Sequence, residues 1–285
     1  MNIASAVLLG VIQGLTEFLP VSSSGHLVLL QKVFGIEEPV LLFDTMLHVG
    51  TLAAVFVVLW ADVWAILRKL NQPLTAYLVI ATVPAVVFAL VFKKPLEKIF
   101  ETGQFLGLCF LLTSALLVMA ELLSKRAAWG VSAHGNLKKA GEMNWLDALI
   151  IGILQAVAII PGVSRSGATL SGALSRRLDR DFAARFSFLL SIPAILGAAV
   201  FQLKDLIKGG GVTADAAGLP VSGGGIGTAA IIAGTLSAAI VGFFAVRLML
   251  KIVREKSLWG FAVYTGILGL LVLVDQLVTH LVFRL

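Results

Sequence analysis

Residues 10–26 read GVIQGLTEFLPVSSSGH: an apolar segment that suddenly carries Gln13, Thr16, Glu17, three serines, a glycine and a histidine. In a soluble chain this would be an ordinary helix, turn and helix start. The surroundings decide otherwise. Of 285 residues, 59% are apolar and only 13% are charged, and the mean hydropathy is +0.99. A soluble domain carries about a quarter charged residues, so the bulk of this chain belongs in lipid. There, buried ionisable groups are expensive and read as functional by default. Continuous apolar segments of about 18 residues or more, without alternation, specify helices and exclude a β-barrel. The fold class expected is an all-α polytopic membrane protein.

The formal charge of +6 is no nucleic-acid signal, because the basic residues lie in short loops between apolar segments. Lipid headgroups and the topology machinery are their natural partners. Cys109 is alone in an apolar run, so no disulfide framework exists. The first Lys or Arg is Lys32, so a basic n-region is missing and the N-terminus is read as mature structure.

Working outward, Pro20 and the serine run break the first segment into helices of roughly 3–18 and 23–34. A re-entrant hairpin over 3–34 is the expected form, since non-helical backbone at depth needs cover from protein or water. Spans are expected near 41–60, 75–92 and 104–123, which complete a first repeat over 1–123. Residues 124–144 read as a cytoplasmic loop. A second repeat, 145–285, opens with another broken segment over 145–175, interrupted at Pro161 to Gly167. Spans near 185–203, 226–246 and 258–283 follow, with the Gly-rich 209–227 as a flexible spacer.

At an offset of 142, Gly10, Gln13, Val21, Ser22, Ser24 and Gly25 fall on Gly152, Gln155, Val163, Ser164, Ser166 and Gly167. A weaker echo at 153 sets residues 81–85 against 234–238, and Gly107 against Gly260. Each half holds one hairpin and three spans, an odd number of crossings, so the second half is expected upside down relative to the first. That makes about six transmembrane helices and two re-entrant hairpins in an inverted-topology repeat. With the hairpins not crossing, fourteen Lys and Arg fall on one side and seven on the other, Arg165 aside. The richer side is read as cytoplasmic. Both termini then face out, and the hairpin tips meet near mid-membrane.

Glu17 and Arg165 lie well inside apolar segments, where a charge costs about 2.5–3.5 kcal/mol on insertion scales. A plain Arg–Glu clamp pinning the hairpins is the bland reading, and it leaves the other polar groups unexplained. Gln13 and Glu17 share a helix face and resemble half of a cation site. Gly10 and Gly14 allow close helix packing. Ser22-Ser23-Ser24-Gly25 and Ser164-Arg165-Ser166-Gly167 each precede an apolar helical run. Serine caps with free N–H groups behind them make anion cradles, and Arg165 would add a bidentate clamp. His26 lies three residues from Ser23. Asp44 and His48, four apart, either line the outer mouth or serve as a helix cap and a buried hydrogen bond. Gln155 reads as a hairpin hydrogen-bonding group, and His134 and His280 receive no role.

At these stretches the chain resembles the undecaprenyl-diphosphate phosphatase family, the bacitracin-resistance phosphatases of bacteria. The first signature is carried by Gln13, Glu17, Pro20, Ser22, Ser23, Gly25 and His26. The second is carried by Pro161, Gly162, Ser164, Arg165, Ser166 and Thr169. Phe43-Asp44 through His48-Val49-Gly50-Thr51 is similar to a third stretch. Gln13 is a neutral variant where many members carry Glu. The resemblance implies hydrolysis of undecaprenyl diphosphate at the inner membrane, recycling the lipid carrier of peptidoglycan. It also implies a divalent cation, Mg²⁺ or Ca²⁺, re-entrant hairpins and a site reached from the periplasmic side.

On this reading Ser22, Ser24, Gly25, Ser164, Ser166, Gly167 and Thr169 bind the diphosphate beside Arg165, and Glu17 with Gln13 holds the cation or orients a base. Ser23 is the preferred nucleophile with His26 as its base, while attack by His26 or by a water it activates stays open. The partners expected are the polyprenyl diphosphate and membrane lipids. Nucleic acid is not among them, and a homodimer stays open. The rival class is a transporter or flippase of polyprenyl phosphate, because inverted repeats with broken helices are also a transporter signature.

Overall fold

The computed structural model describes residues 1–35, 41–134, 137–208, 212–214, 220–222 and 226–283. It is an all-α assembly. The first broken segment forms α1 (Ile3–Thr16) and α2 (Ser23–Val33), and the second forms α8 (Trp145–Val157) and α9 (Arg165–Ser175). At about 1.5 Å per residue, α1 and α8 reach only about 20 Å, short of the ~30 Å hydrocarbon core. Between them lie α3 (Leu41–Val58), α4 (Trp60–Arg68), α5 (Pro73–Val91), α6 (Lys93–Thr102) and α7 (Leu106–His134). After them come α10 (Arg180–Lys208), α11 (Thr228–Glu255) and α12 (Trp259–Val274).

Five helices are long and apolar enough to cross a membrane, and α3 with α4, bent by 81°, makes a sixth candidate. The chain is therefore a multi-pass membrane protein. Three features depart from the expected boundaries. Helix α7 runs on to His134, so the first half of the expected 124–144 loop is helical. The short helix α6, with Lys93, Lys94 and Lys98, occupies what had read as a connection. Within the Gly-rich 209–227, strands β1 (Val212–Ala214) and β2 (Pro220–Ser222) pair antiparallel. Residues 209–211, 215–219 and 223–225 of that stretch lie outside the described residues.

The hairpin helices start where polar caps precede apolar runs. Asn2 accepts from Ser5 N at 2.8 Å and Asn144 from Asp147 N at 3.0 Å. Small residues then let the hairpins press against helices of the opposite half. A Cβ on Gly10 would drive into the carbonyl of Gly234 in α11, and one on Gly152 would stand 2.6 Å from the carbonyl of Ala81 in α5. Gln155 donates to that same Ala81 carbonyl at 3.2 Å, so it bonds across to α5 rather than within its hairpin. Helices α7 and α12 meet in the same manner, with Gly107 against Gly269. Gly260, the position set against Gly107 by the weaker echo, has open space around its Cα.

The base of the second hairpin is tied by Asp147, which is fully buried. It accepts from Lys138 Nζ at 2.9 Å and from Arg176 Nε at 2.7 Å. Burial alone would raise its pKa, but the hydrogen bonds from Lys138 and Arg176 outweigh it and hold the carboxyl below its ordinary value.

Candidate active site

Both hairpins turn through a serine cap. Ser22 Oγ accepts from Gly25 N at 3.2 Å, and Ser164 Oγ accepts from Gly167 N at 3.0 Å. The two caps therefore have the same chemistry, but not the same backbone. Ser22 has φ 70°, a left-handed value that is costly for a residue with a Cβ. Ser164 has φ −70°, and in that hairpin Gly162 takes the positive φ, at 95°.

The tips interlock. Ser24 Oγ accepts from Gly162 N at 3.4 Å, and Ser166 Oγ donates to Leu19 O at 3.0 Å. A Cβ on Gly167 would lie 3.4 Å from Pro20 Cβ. Thr113 of α7 braces the second tip, accepting from Ser164 N at 3.0 Å and donating to Gly162 O at 3.3 Å.

Glu17, with its side chain 4% exposed, is the point where the two hairpins converge. Its Oε1 accepts from Arg165 Nη2 at 2.5 Å. Its Oε2 accepts from Ser23 Oγ at 2.6 Å and from Gln13 Nε2 at 2.9 Å. His48 of α3 brings Nε2 to 3.6 Å from the same oxygen. A buried carboxylate is tolerable only when paired and hydrogen-bonded, and this one has both.

Ser23 therefore meets Glu17 rather than the expected base. No hydrogen bond joins Ser23 to His26 among the described residues. Both His26 nitrogens are engaged elsewhere, Nδ1 with Ser22 O at 2.7 Å and Nε2 with the Tyr264 hydroxyl at 2.7 Å. A carbonyl can only accept, so Nδ1 carries the proton and Nε2 presents its lone pair to the phenol. The ring also stacks on Tyr264 at 5.8 Å and meets the edge of Phe110 at 5.4 Å.

Of the remaining candidates, Ser24 is partly exposed at the tip, as are Ser23 and Arg165. Ser22, Gly25, Ser164, Ser166 and Gly167 are buried as cap and contact residues. Thr169 is fully buried and faces inward, donating to Arg165 O at 2.9 Å and pairing with Ser187 Oγ at 2.5 Å. Asp44 is buried and accepts both ways from Gln31 Nε2, at 2.9 and 3.2 Å.

Sequence reasoning missed Tyr264, Thr113, Phe110 and Ser187. Tyr264 lies 238 residues from His26, in an apolar span where one aromatic carries no signal. His48 had a visible signal, its spacing from Asp44, but not its contact with Glu17.

Among the described residues no three His, Cys, Asp or Glu side chains converge as a metal cluster. What the site does offer is oxygen. Gln13 is fully buried, and its Oε1 has no hydrogen-bond partner among the described residues. A carboxylate beside an orphaned amide oxygen suits a hard cation that takes its other ligands from phosphate and water.

Residues 6–271 match the family described as Bacitracin resistance protein BacA. A protein of Carboxydothermus hydrogenoformans named undecaprenyl-diphosphatase is 44% identical, over 97% of this chain and 98% of that protein. Undecaprenyl-diphosphatase 4 of Bacillus thuringiensis subsp. konkukian is 42% identical over the same shares. The undecaprenyl-diphosphatase of Halothermothrix orenii is 38% identical over 96% of this chain and 98% of its own. A match of this extent, on a chain whose two broken helices meet at Glu17 and Arg165, places it in a family: it belongs to the bacitracin-resistance family BacA.

Proposed function

We propose that the chain hydrolyses undecaprenyl diphosphate to undecaprenyl phosphate and orthophosphate, and that the two interlocked hairpin tips are where it does so. The full-length kinship with undecaprenyl-diphosphatases supports the reaction. The observation that carries the site is the convergence of Ser23 and Arg165, from different hairpins, on the one buried carboxylate of Glu17. Recycling of the lipid carrier for envelope polymers, and with it bacitracin resistance, follows from that reaction.

Phosphoryl transfer spreads negative charge over equatorial oxygens, so catalysis is mostly positioning and electrostatics. The substrate's terminal phosphate lies against Arg165 and those first-turn N–H groups of α2 and α9 that the Ser22 and Ser164 caps leave free. The polyprenyl tail stays in lipid. Ser23 Oγ, already hydrogen-bonded to Glu17, gives its proton to that carboxylate and attacks the terminal phosphorus. The bond to the bridging oxygen breaks, and undecaprenyl phosphate leaves with the electron pair. Water then cleaves the phosphoserine, releasing orthophosphate and restoring the hydroxyl.

His26 Nε2, with its lone pair available once Tyr264 moves aside, takes the proton of that water. The same lone pair supports the second reading, in which His26 itself or a water it activates is the nucleophile. Glu17 and Gln13 Oε1 would hold a divalent cation, Mg²⁺ or Ca²⁺, which when bound supplies charge neutralisation at the phosphate oxygens.

The inverted repeat belongs to this proposal. Gly10 and Gly152 are partners at an offset of 142, and Gly234 and Ala81 are partners at 153. Each hairpin glycine packs on the partner position of the other half. With the charge asymmetry, this supports both termini and the site's mouth on the periplasmic face.

Phosphate release from purified protein given a polyprenyl diphosphate and Mg²⁺ or Ca²⁺ tests the reading. Absence of release, combined with protein-dependent movement of labelled lipid between leaflets, would replace it with the transporter.

A further inference from the structure

The chain ends in a strap that the mechanism above does not use. After α12, Asp275–Thr279 form a turn of π-helix, and His280, at φ 49°, turns the chain back. The Asp275 carboxylate then accepts from three successive backbone N–H groups, Leu281 at 2.9 Å, Val282 at 3.1 Å and Phe283 at 2.9 Å. It also accepts from Thr279 Oγ1 at 2.6 Å. Charge-assisted bonds of this kind fix the strap's backbone. Gln276 locks its base to the turn between α6 and α7, donating to Gly103 O at 2.6 Å and accepting from Gly107 N at 3.3 Å.

The strap delivers one side chain inward. Leu281 is 77% exposed, whereas Phe283 is 2% exposed. A Cβ on Gly103 would lie 2.8 Å from Phe283 Cε1 and 3.4 Å from Val28 Cγ1, so the ring fits because that residue is glycine. Phe283 shares a buried apolar cluster with Val28 of α2, Leu106 and Phe110 of α7, and Val272 of α12. Phe110 in turn meets the first hairpin's tip. Its ring lies edge-on to that of His26 with centroids 5.4 Å apart, and a Cβ on Gly25 would stand 2.7 Å from its Cζ.

That tip needs bracing. Ser22 holds a left-handed backbone, which persists only where the surroundings over-determine it. Helix α1 is the one that packs most closely on α2, and Gln31 ties the far end of α2 to Asp44. The Phe283 cluster holds it at Val28, two residues beyond His26.

We propose, resting on the hydrolase reading above, that Phe283 is a positioning residue. By filling the space between α2, α7 and α12, it holds Phe110 and α2 where Ser23 and His26 face the site.

The test uses the full chain in detergent, a polyprenyl diphosphate with Mg²⁺ or Ca²⁺, and amide hydrogen exchange. Phe283→Ala should lower kcat by about tenfold or more with KM within about twofold, since misplaced catalytic groups cost rate rather than binding. Amides of α2 should exchange about tenfold faster while those of α5 do not change. Phe283→Leu, which refills most of the space, should keep kcat within about threefold of native. Asp275→Ala frees the strap without removing apolar packing, so it should show the same split of kcat from KM even where Phe283→Ala folds poorly. Native kcat in a folded Phe283→Ala or in Asp275→Ala overturns the proposal. A rise in KM at unchanged kcat does so too, because the strap would then serve substrate entry. Loss of exchange protection throughout both variants reduces the strap to a stability element and equally overturns it. A native protein that releases no phosphate overturns the hydrolase reading itself, and the positioning role falls with it.

Discussion

The two hairpins share a plan and divide the labour. Each is a short apolar helix, a turn through proline and a serine cap, and a second short helix. Each presses a glycine onto a carbonyl of the opposite half. Yet the first brings Glu17, Ser23 and His26, with a left-handed serine at its turn. The second brings Arg165 on relaxed serine backbone, with glycine absorbing the positive φ. The groups that would exchange protons lie on the strained turn, and the permanent charge lies on the relaxed one. Two hairpins of one plan thus carry different groups, which suits the proposed mechanism, since it needs one nucleophile and one clamp, not two of each.

Substitutions at the tips test that division. Ser23→Ala should abolish phosphate release, by about 10⁴-fold or more if it acts as a nucleophile does in hydrolytic triads. Ser24→Ala, one residue along, should lose far less, and equal losses would remove Ser23 from its role. Arg165→Lys keeps the charge but not the fork, so kcat should drop by about 10²–10³-fold with the protein still folded. A variant that loses only stability would return Arg165 to a structural clamp.

Packing offers a test of likeness rather than difference. Gly10→Ala and Gly152→Ala each force a methyl against a backbone carbonyl. Each should lower unfolding stability in detergent by about 1–3 kcal/mol, and a large disparity would show that the two hairpin contacts are not equivalent. Tyr264→Phe keeps the stacked ring and removes only the hydroxyl on His26 Nε2. Because that hydroxyl must move aside before Nε2 can take a proton, sparing the break of one hydrogen bond, about 1 kcal/mol, predicts a rise in kcat of roughly fivefold with KM unchanged.

The smallest effect concerns the hairpin bases. The second is tethered through Asp147, whereas α1 has no acidic residue in its first turn. Because the folded pKa of Asp147 is depressed, its contribution is fully present above the unfolded value of ~3.9 and is lost as pH falls through the folded one. Melting curves of the native protein and Asp147→Asn should differ at neutral pH and converge in acid.

Membrane class, the helix breaks at Pro20 and Pro161, and the residues at the tips were all legible in the chain, because each rests on local composition. An apolar run, a proline and a serine cap act over one or two turns of helix. The pairing of Gln13 with Glu17 is likewise a one-turn relation. What no spacing revealed is which groups from distant helices come to the tips. Ser23 met Glu17 instead of His26, because the Ser22 carbonyl and Tyr264 claim both imidazole nitrogens. Thr169, a phosphate ligand only by the family resemblance, turns inward to Ser187. Helix periodicity sets which face a residue occupies, but the neighbouring helix decides what that face meets. Sequence alone thus determined a membrane protein with two polar breaks and their reactive residue types. Only tertiary packing, glycine on carbonyl across the two halves, decided that Glu17 would be the shared partner of Ser23, Arg165 and His48.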